Sequence, residues 1–375
     1  MGGIRIGSLF GFTIAIHPSW FIVLVVFSFS LANGFFPSAY EDWSQTAYWV
    51  VGILASLLLF GSVLVHELAH SLVARSQGIP VRDITLFLLG GVASIEKEAS
   101  TPRREAALAG VGPLTSLAIG LVCGLAARFL PLPETLDALL VYLGIANVIL
   151  AVFNLVPGFP LDGGRVLRAL LWARSGDFER ATRTAARIGQ GLGWVFIAGG
   201  VLIAFSASVF SGLWLGFVGW VLVQASQASI TQIALQRGLA GVTVARLMSP
   251  PVAWVSPYVT LSAAAERYFL EHRARCLPVE PEADGQAFDG IVCLSDLQRT
   301  PRSEWDVDRV RDVMTAADAV VTVTPSTPAA DAMRLMAEHN VNQVAVVEDG
   351  RLLGFVDRGS VLRYLEFADL ARRDH

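Results

Sequence analysis

"GSVLVHELAHSLVA", residues 61–74, places two histidines and a glutamate inside a run that otherwise reads as lipid-facing helix. From Trp49 to Ala74 the chain is almost wholly apolar, and Glu67 is its only charged residue. An ionisable side chain at membrane depth costs at least about 2.5–3.5 kcal/mol on insertion scales, so such groups face a protein interior and carry function there. Residues four apart share one helical face, so His66 and His70 can both aim a nitrogen at a single ion. Glu67 stands beside that face, where it can take a proton from water. The pattern is that of zinc hydrolysis, which needs two imidazoles, a third ligand and an open position.

Composition supports a membrane setting. Of 375 residues, 54% are hydrophobic and only 16% charged, against about 25% charged in soluble domains. The deficit lies in the first 235 residues and the tail is ordinary, which predicts a transmembrane domain over 1–235 joined to a soluble domain over 241–375. A net charge of -4 excludes a strongly basic nucleic-acid binder. Cys123, Cys276 and Cys293 are widely spaced, match no metal or redox pattern, and read as structural or incidental thiols. No cleavable signal peptide is evident in the first apolar run.

Six apolar segments are long enough to span a bilayer: 18–36, 47–74, 105–130, 136–157, 188–208 and 211–234. Arg75, Arg82, Lys97, Arg103 and Arg104 follow the second, and Arg165, Arg168, Arg174, Arg180, Arg183 and Arg187 follow the fourth. The opposite connectors carry only Arg128. Positive residues stay on the cytoplasmic face, which predicts both termini cytoplasmic in a multi-pass protein of the cell membrane. Two stretches, "IGSLFGFTIAIHPSWF" before the first span and "DITLFLLGGVASIEKE" at 83–98, read as short membrane-associated β-hairpins. Either could offer an unpaired edge to an extended peptide.

The third ligand must come from elsewhere in the membrane domain, and Asp162 in "NLVPGFPLDGGR" is the candidate. Pro157 and Pro160 prevent a plain helix there, and Gly163 and Gly164 permit tight backbone geometry. The segment thus reads as an unwound stretch carrying a carboxylate into the bundle. His17, beside Trp20, reads as an interfacial residue rather than a ligand, and Asn147 as a packing residue.

The tail contains an internal repeat. "VTVARLMSPPVAWVSPYVTL" aligns with "VDRVRDVMTAADAVVTVTPSTP", with Met248 matching Met314. Each copy, about 241–300 and 307–367, reads as a small α/β unit that buries too little alone, so the two are expected to pack as a pair.

HELAH in one span with NLVPGFPLDGG at the end of a later one resembles the site-2 protease family of intramembrane zinc metalloproteases. "AGVGPLTS", residues 109–116, is similar to that family's Gly-Pro stretch, where small residues allow close helix packing. The tail resembles a pair of CBS domains. The resemblance implies one Zn2+ held by His66, His70 and Asp162, with Glu67 as general base and Asn154 as the group that polarises the scissile carbonyl or steadies the oxyanion. It implies hydrolysis of a peptide bond within or near the transmembrane helix of a single-span substrate, and a CBS pair that regulates or forms a homodimer. The adenine-nucleotide pattern of CBS domains is incomplete in both copies. "GIVCLSD" keeps Asp296 as a possible nucleotide contact but has Cys293 at the hydroxyl position, and "GFVDRGS" has Asp357 there and Ser360 at the acidic one. A CBS-linked transporter and a catalytically inactive membrane-bound regulator stand as alternatives.

Overall fold

The computed structural model describes residues 3–87, 90–95, 99–281 and 288–373. Lys97 and part of the 83–98 stretch lie outside them. The chain divides into two compact units, Met1–Thr231 and Gln232–His375.

The first unit opens on a hairpin, β1 (Ile4–Leu9) and β2 (Phe12–Ile16), closed by Phe10 and Gly11. Both turn residues have positive φ, 50° and 85°, as a two-residue turn of the twist-matching kind demands. Then come α1 (Ser19–Ser30), a π-helical turn (Leu31–Phe35) and α2 (Phe36–Ala39). The long α3 (Gln45–Ser76) starts where Ser44 accepts a hydrogen bond from the Ala47 amide. A second hairpin, β3 (Val81–Phe87) and β4 (Gly90–Ile95), follows. α4 (Pro102–Phe129) is capped by Thr101 and has Pro in its first turn; α5 (Glu134–Asn154) returns. The short α6 (Asp162–Ser175) ends at Gly176 in the left-handed region. Asp177 caps α7 (Phe178–Ser206), and α8 (Val209–Gly238) completes the set.

Six helical stretches among the described residues are long and apolar enough to cross a membrane, matching the six expected segments. The protein is a multi-pass integral membrane protein. The fifth stretch begins at Phe178 rather than 188, because α7 continues through its arginine-bearing turns before the apolar part begins. Hydroxyls inside α3 are satisfied by carbonyls one turn back: Ser56 donates to Gly52, Ser62 to Leu58 and Ser71 to Glu67. Asn147, fully buried, donates to Ser62 Oγ at 3.1 Å, an interhelical packing bond.

The two hairpins do not stand apart. β2 pairs in parallel with β3, making one four-stranded sheet in the order β1-β2-β3-β4. Phe12, Ile14 and Ile84 of this sheet bury against Leu68 of α3. Among the described residues β4 is therefore an edge strand.

The second unit contains α9 (Leu261–Ala264), β5 (Cys276–Val279), β6 (Gly290–Cys293), α10 (Leu294–Arg299), α11 (Val310–Val313), β7 (Thr315–Ala316), β8 (Thr322–Val323), α12 (Ala329–Glu338), β9 (Gln343–Glu348), β10 (Arg351–Asp357) and α13 (Arg358–Arg373). These form two three-stranded sheets, β5-β6-β7 and β10-β9-β8. Each repeat lends its leading segment to the other: Ser249 of the first exchanges two backbone hydrogen bonds with Phe355 on β10, both 2.9 Å, while β7 of the second pairs with β6. The same exchange joins the cores, since Val244 and Leu247 pack with Val346 and Val356, and Val310 with Leu277 and Val292. The expected pairing of two dependent units is thus built from swapped strands.

One sequence expectation is corrected here. Cys276 and Cys293 are not separate thiols; they face each other across β5 and β6 and form a disulfide, leaving Cys123 free. Their separation of 17 residues carries no signal until strand register brings them opposite.

Candidate metal centre

His66 and His70 lie one turn apart on α3, both 4% exposed, with Nε2 atoms 3.2 Å apart. Each Nε2 is also 3.1 Å from the same oxygen of Asp162, Oδ2. Both rings are held from behind by α4. His70 Nδ1 lies 2.7 Å from the Leu108 carbonyl, and His66 Nδ1 2.9 Å from Ser116 Oγ. A carbonyl oxygen only accepts, so His70 carries a proton on Nδ1 and donates it to Leu108. Two imidazole nitrogens and a carboxylate oxygen thus converge in one largely buried place. Such a donor set could hold a single cation. The spacing fits zinc, whose tetrahedral ligands at about 2.0–2.1 Å stand about 3.3 Å from one another.

Gly112 of α4 keeps the space open. A Cβ there would meet His70 Nε2 at 2.2 Å and His66 Nε2 at 2.5 Å, so only glycine leaves room for the ligand atoms to meet. Glu67 is half-buried on the neighbouring face and runs beneath the edge strand, where a Cβ on Gly91 would stand 2.4 Å from Glu67 Cγ. Glu67 and this strand are therefore adjacent.

Asp162 reaches the histidines because residues 155–161 leave the helical path and fold back over α6. A Cβ on Gly163 would stand 2.3 Å from the Leu155 carbonyl, and one on Gly164 2.3 Å from the Gly158 carbonyl carbon. The pair of glycines is what lets Asp162 begin a helix under its own preceding loop. Ser226 of α8 pins that loop by donating to the Phe159 carbonyl at 2.7 Å.

The remaining candidates fall elsewhere. Asn154 is half-buried at the last position of α5. His17 is held by Ser19 at the start of α1 and is no member of the ligand cluster. Asp296 accepts from the Cys293 amide at 2.8 Å, and Asp357 from the Ser360 amide at 2.7 Å, so both cap helix starts. Several site residues escaped the sequence reading. Gly112 and Ser116 were read only as helix packing, Gly91 only as part of a hairpin, and Glu105 not at all. Arg165 and Arg168 enter the sequence argument only as cytoplasmic-side charge, yet Arg168 is 4% exposed.

A family model described as "Peptidase family M50" matches residues 54–134 and 131–198, and the "CBS domain" model matches 244–302 and 310–367. A Synechocystis protein with the name "Putative zinc metalloprotease sll0528" is 33% identical, covering 97% of this chain and 95% of its own length. The chain belongs to peptidase family M50. A second relative, "Putative zinc metalloprotease Rip3" of Mycobacterium tuberculosis, is 34% identical over 98% of this chain and 94% of its own. A solved site-2 protease from Methanocaldococcus jannaschii is 28% identical, covering 61% of this chain and 95% of that one, with a TM-score of 0.43. This M50 protein is a membrane-embedded metallopeptidase with a C-terminal pair of CBS domains.

Proposed function

We propose that His66, His70 and Asp162 hold one zinc ion and that the enzyme hydrolyses a peptide bond within or near the transmembrane helix of a single-span protein. The convergence of two Nε2 atoms and one carboxylate oxygen within 3.2 Å of one another carries this reading. Zinc bound there supplies a Lewis acid that polarises a carbonyl and acidifies water. Glu67, beside the ligand face, is placed to take a proton from the attacking water and return it to the leaving amine. Asn154, eight residues before Asp162, donates a hydrogen bond to the carbonyl oxygen as negative charge develops on it.

A helical substrate hides its amides in internal hydrogen bonds and must unwind before attack. The edge position of β4, with Glu67 directly beneath Gly91, supports a substrate that adds to the sheet as an extended strand. Main-chain hydrogen bonds to β4 then hold the unwound segment over the base. The arginine distribution supports cytoplasmic termini in the cell membrane, with the site toward that face. The CBS pair serves as a regulatory or dimerising module. The capping roles of Asp296 and Asp357 support that reading over adenine-nucleotide binding.

The test compares wild type with Glu67→Gln in detergent, measuring bound zinc and cleavage of single-span substrates. One zinc in both, with cleavage by the wild type alone, is the expected outcome. A wild type without zinc, or a variant that cuts equally well, overturns the reading. Proline introduced along β4 should lower turnover while zinc content stays intact, and unchanged turnover would remove the strand-addition step.

A further inference from the structure

Glu105 is fully buried, and its Oε1 accepts hydrogen bonds from two guanidinium groups of α6: Arg165 Nε at 3.0 Å and Arg168 Nη2. Arg168 also stacks over Phe159, 5.0 Å from the ring centre, and over Phe178 of α7 at 4.7 Å. One arginine therefore ties α6 to α4, to the loop before Asp162, and to α7. Asp162 is the first residue of that same helix.

Positions 105, 108, 112 and 116 lie at helical spacing on one stripe of α4. Along it stand Glu105, which grips α6; the Leu108 carbonyl, which holds His70; Gly112, which leaves room; and Ser116, which holds His66. A single helix face thus sets the positions of all three ligand side chains. A buried ion pair is a costly way to join two helices, because apolar side chains of similar size do it as well. What the charged pair adds is direction: a carboxylate oxygen shared by two guanidinium donors fixes the rotation and register of α6.

We infer that Glu105, with Arg165 and Arg168, is a positioning cluster that holds the Asp162 carboxylate at the metal site. The inference rests on the ligand assignment proposed above. Glu105 touches no ligand atom; it acts through α6.

The test is a double-mutant cycle on the full-length protein in detergent. Zinc affinity is measured by competition with a chelator for wild type, Glu105→Gln, Asp162→Asn and the double variant. Thermal unfolding of each metal-free protein runs alongside. Outer groups that orient metal ligands are worth about 10–100-fold in affinity. Glu105→Gln should therefore weaken zinc binding about 10–100-fold when Asp162 is present, and by less than about threefold when position 162 is already Asn. A merely structural role predicts the same loss in both backgrounds, and that result, or no loss in either, overturns the inference. Should Glu105→Gln fail to fold, the same cycle is run with Arg165→Gln, whose partly exposed side chain makes the change milder, and the same outcomes decide. Wild-type zinc affinity in Asp162→Asn overturns the ligand assignment itself, a result distinct from equal losses in both backgrounds.

Discussion

Adding one methyl group at Gly112 separates the metal site from the fold that carries it. Gly112 lies inside α4, where alanine is ordinarily favoured over glycine by about 0.5–1 kcal/mol. The new Cβ would stand 2.2 Å from His70 Nε2 and 2.5 Å from His66 Nε2, roughly 1 Å closer than carbon and nitrogen tolerate. The imidazoles must withdraw by about that distance, and a 1 Å misplacement of reacting groups costs about 100-fold in rate. Gly112→Ala is therefore expected to cut at 1% of the wild-type rate or less, and to bind zinc at least about tenfold more weakly. The clash with two buried rings costs about 1–3 kcal/mol, more than the propensity gain, so its metal-free melting temperature should fall by a few degrees while the protein still folds. Gly110→Ala is the control, because nothing lies within 4 Å of a Cβ at that position; it should retain both zinc and activity. Zinc content by elemental analysis, chelator competition and substrate cleavage read the outcome. Wild-type zinc affinity and turnover in Gly112→Ala would refute the claim that the ligand atoms converge beside this residue.

Gly91→Val should cost turnover without costing metal: its Cβ collides with Glu67, so turnover falls about 100-fold while bound zinc stays at the wild-type level, and loss of zinc would contradict the geometry. Ser116→Ala removes the partner of His66 Nδ1 and should weaken zinc binding about tenfold with no change in membrane insertion; unaltered affinity in chelator competition would show that the hydroxyl does not orient the ring. In the tail, a side chain at Gly354 would stand 2.3 Å from the Ser249 carbonyl. Gly354→Val should break both hydrogen bonds of the strand exchange, each worth about 1 kcal/mol, and raise amide exchange across β9 and β10 in the full-length protein. Unchanged protection there would count against strand exchange as the link between the repeats.

The parts of this protein legible in its sequence are those governed by local geometry. Four-residue spacing puts His66 and His70 on one helical face whatever surrounds them. Uninterrupted apolar length marks a membrane span without reference to its neighbours. Pro157, Pro160, Gly163 and Gly164 announce that the chain before Asp162 cannot run as a plain helix. Two hairpins and a tail repeat were readable for the same reason, since turn residues and repetition are properties of contiguous segments.

What only the tertiary structure decided are relations between segments far apart in the chain. Arg165 and Arg168 have the same local signature as Arg174 or Arg180, and only the packing of α6 against α4 distinguishes buried partners of Glu105 from surface charge. Gly112 differs from Gly110 only in what faces it. The joining of the two hairpins into one sheet, the Cys276–Cys293 disulfide and the exchange of strands between the repeats all depend on register between strands that no single segment encodes. The chemistry of the site was written in residue spacing. Its support was written in contacts, because side chains at i and i+4 meet by the geometry of one helix, whereas α3, α4 and α6 meet only once the chain has folded.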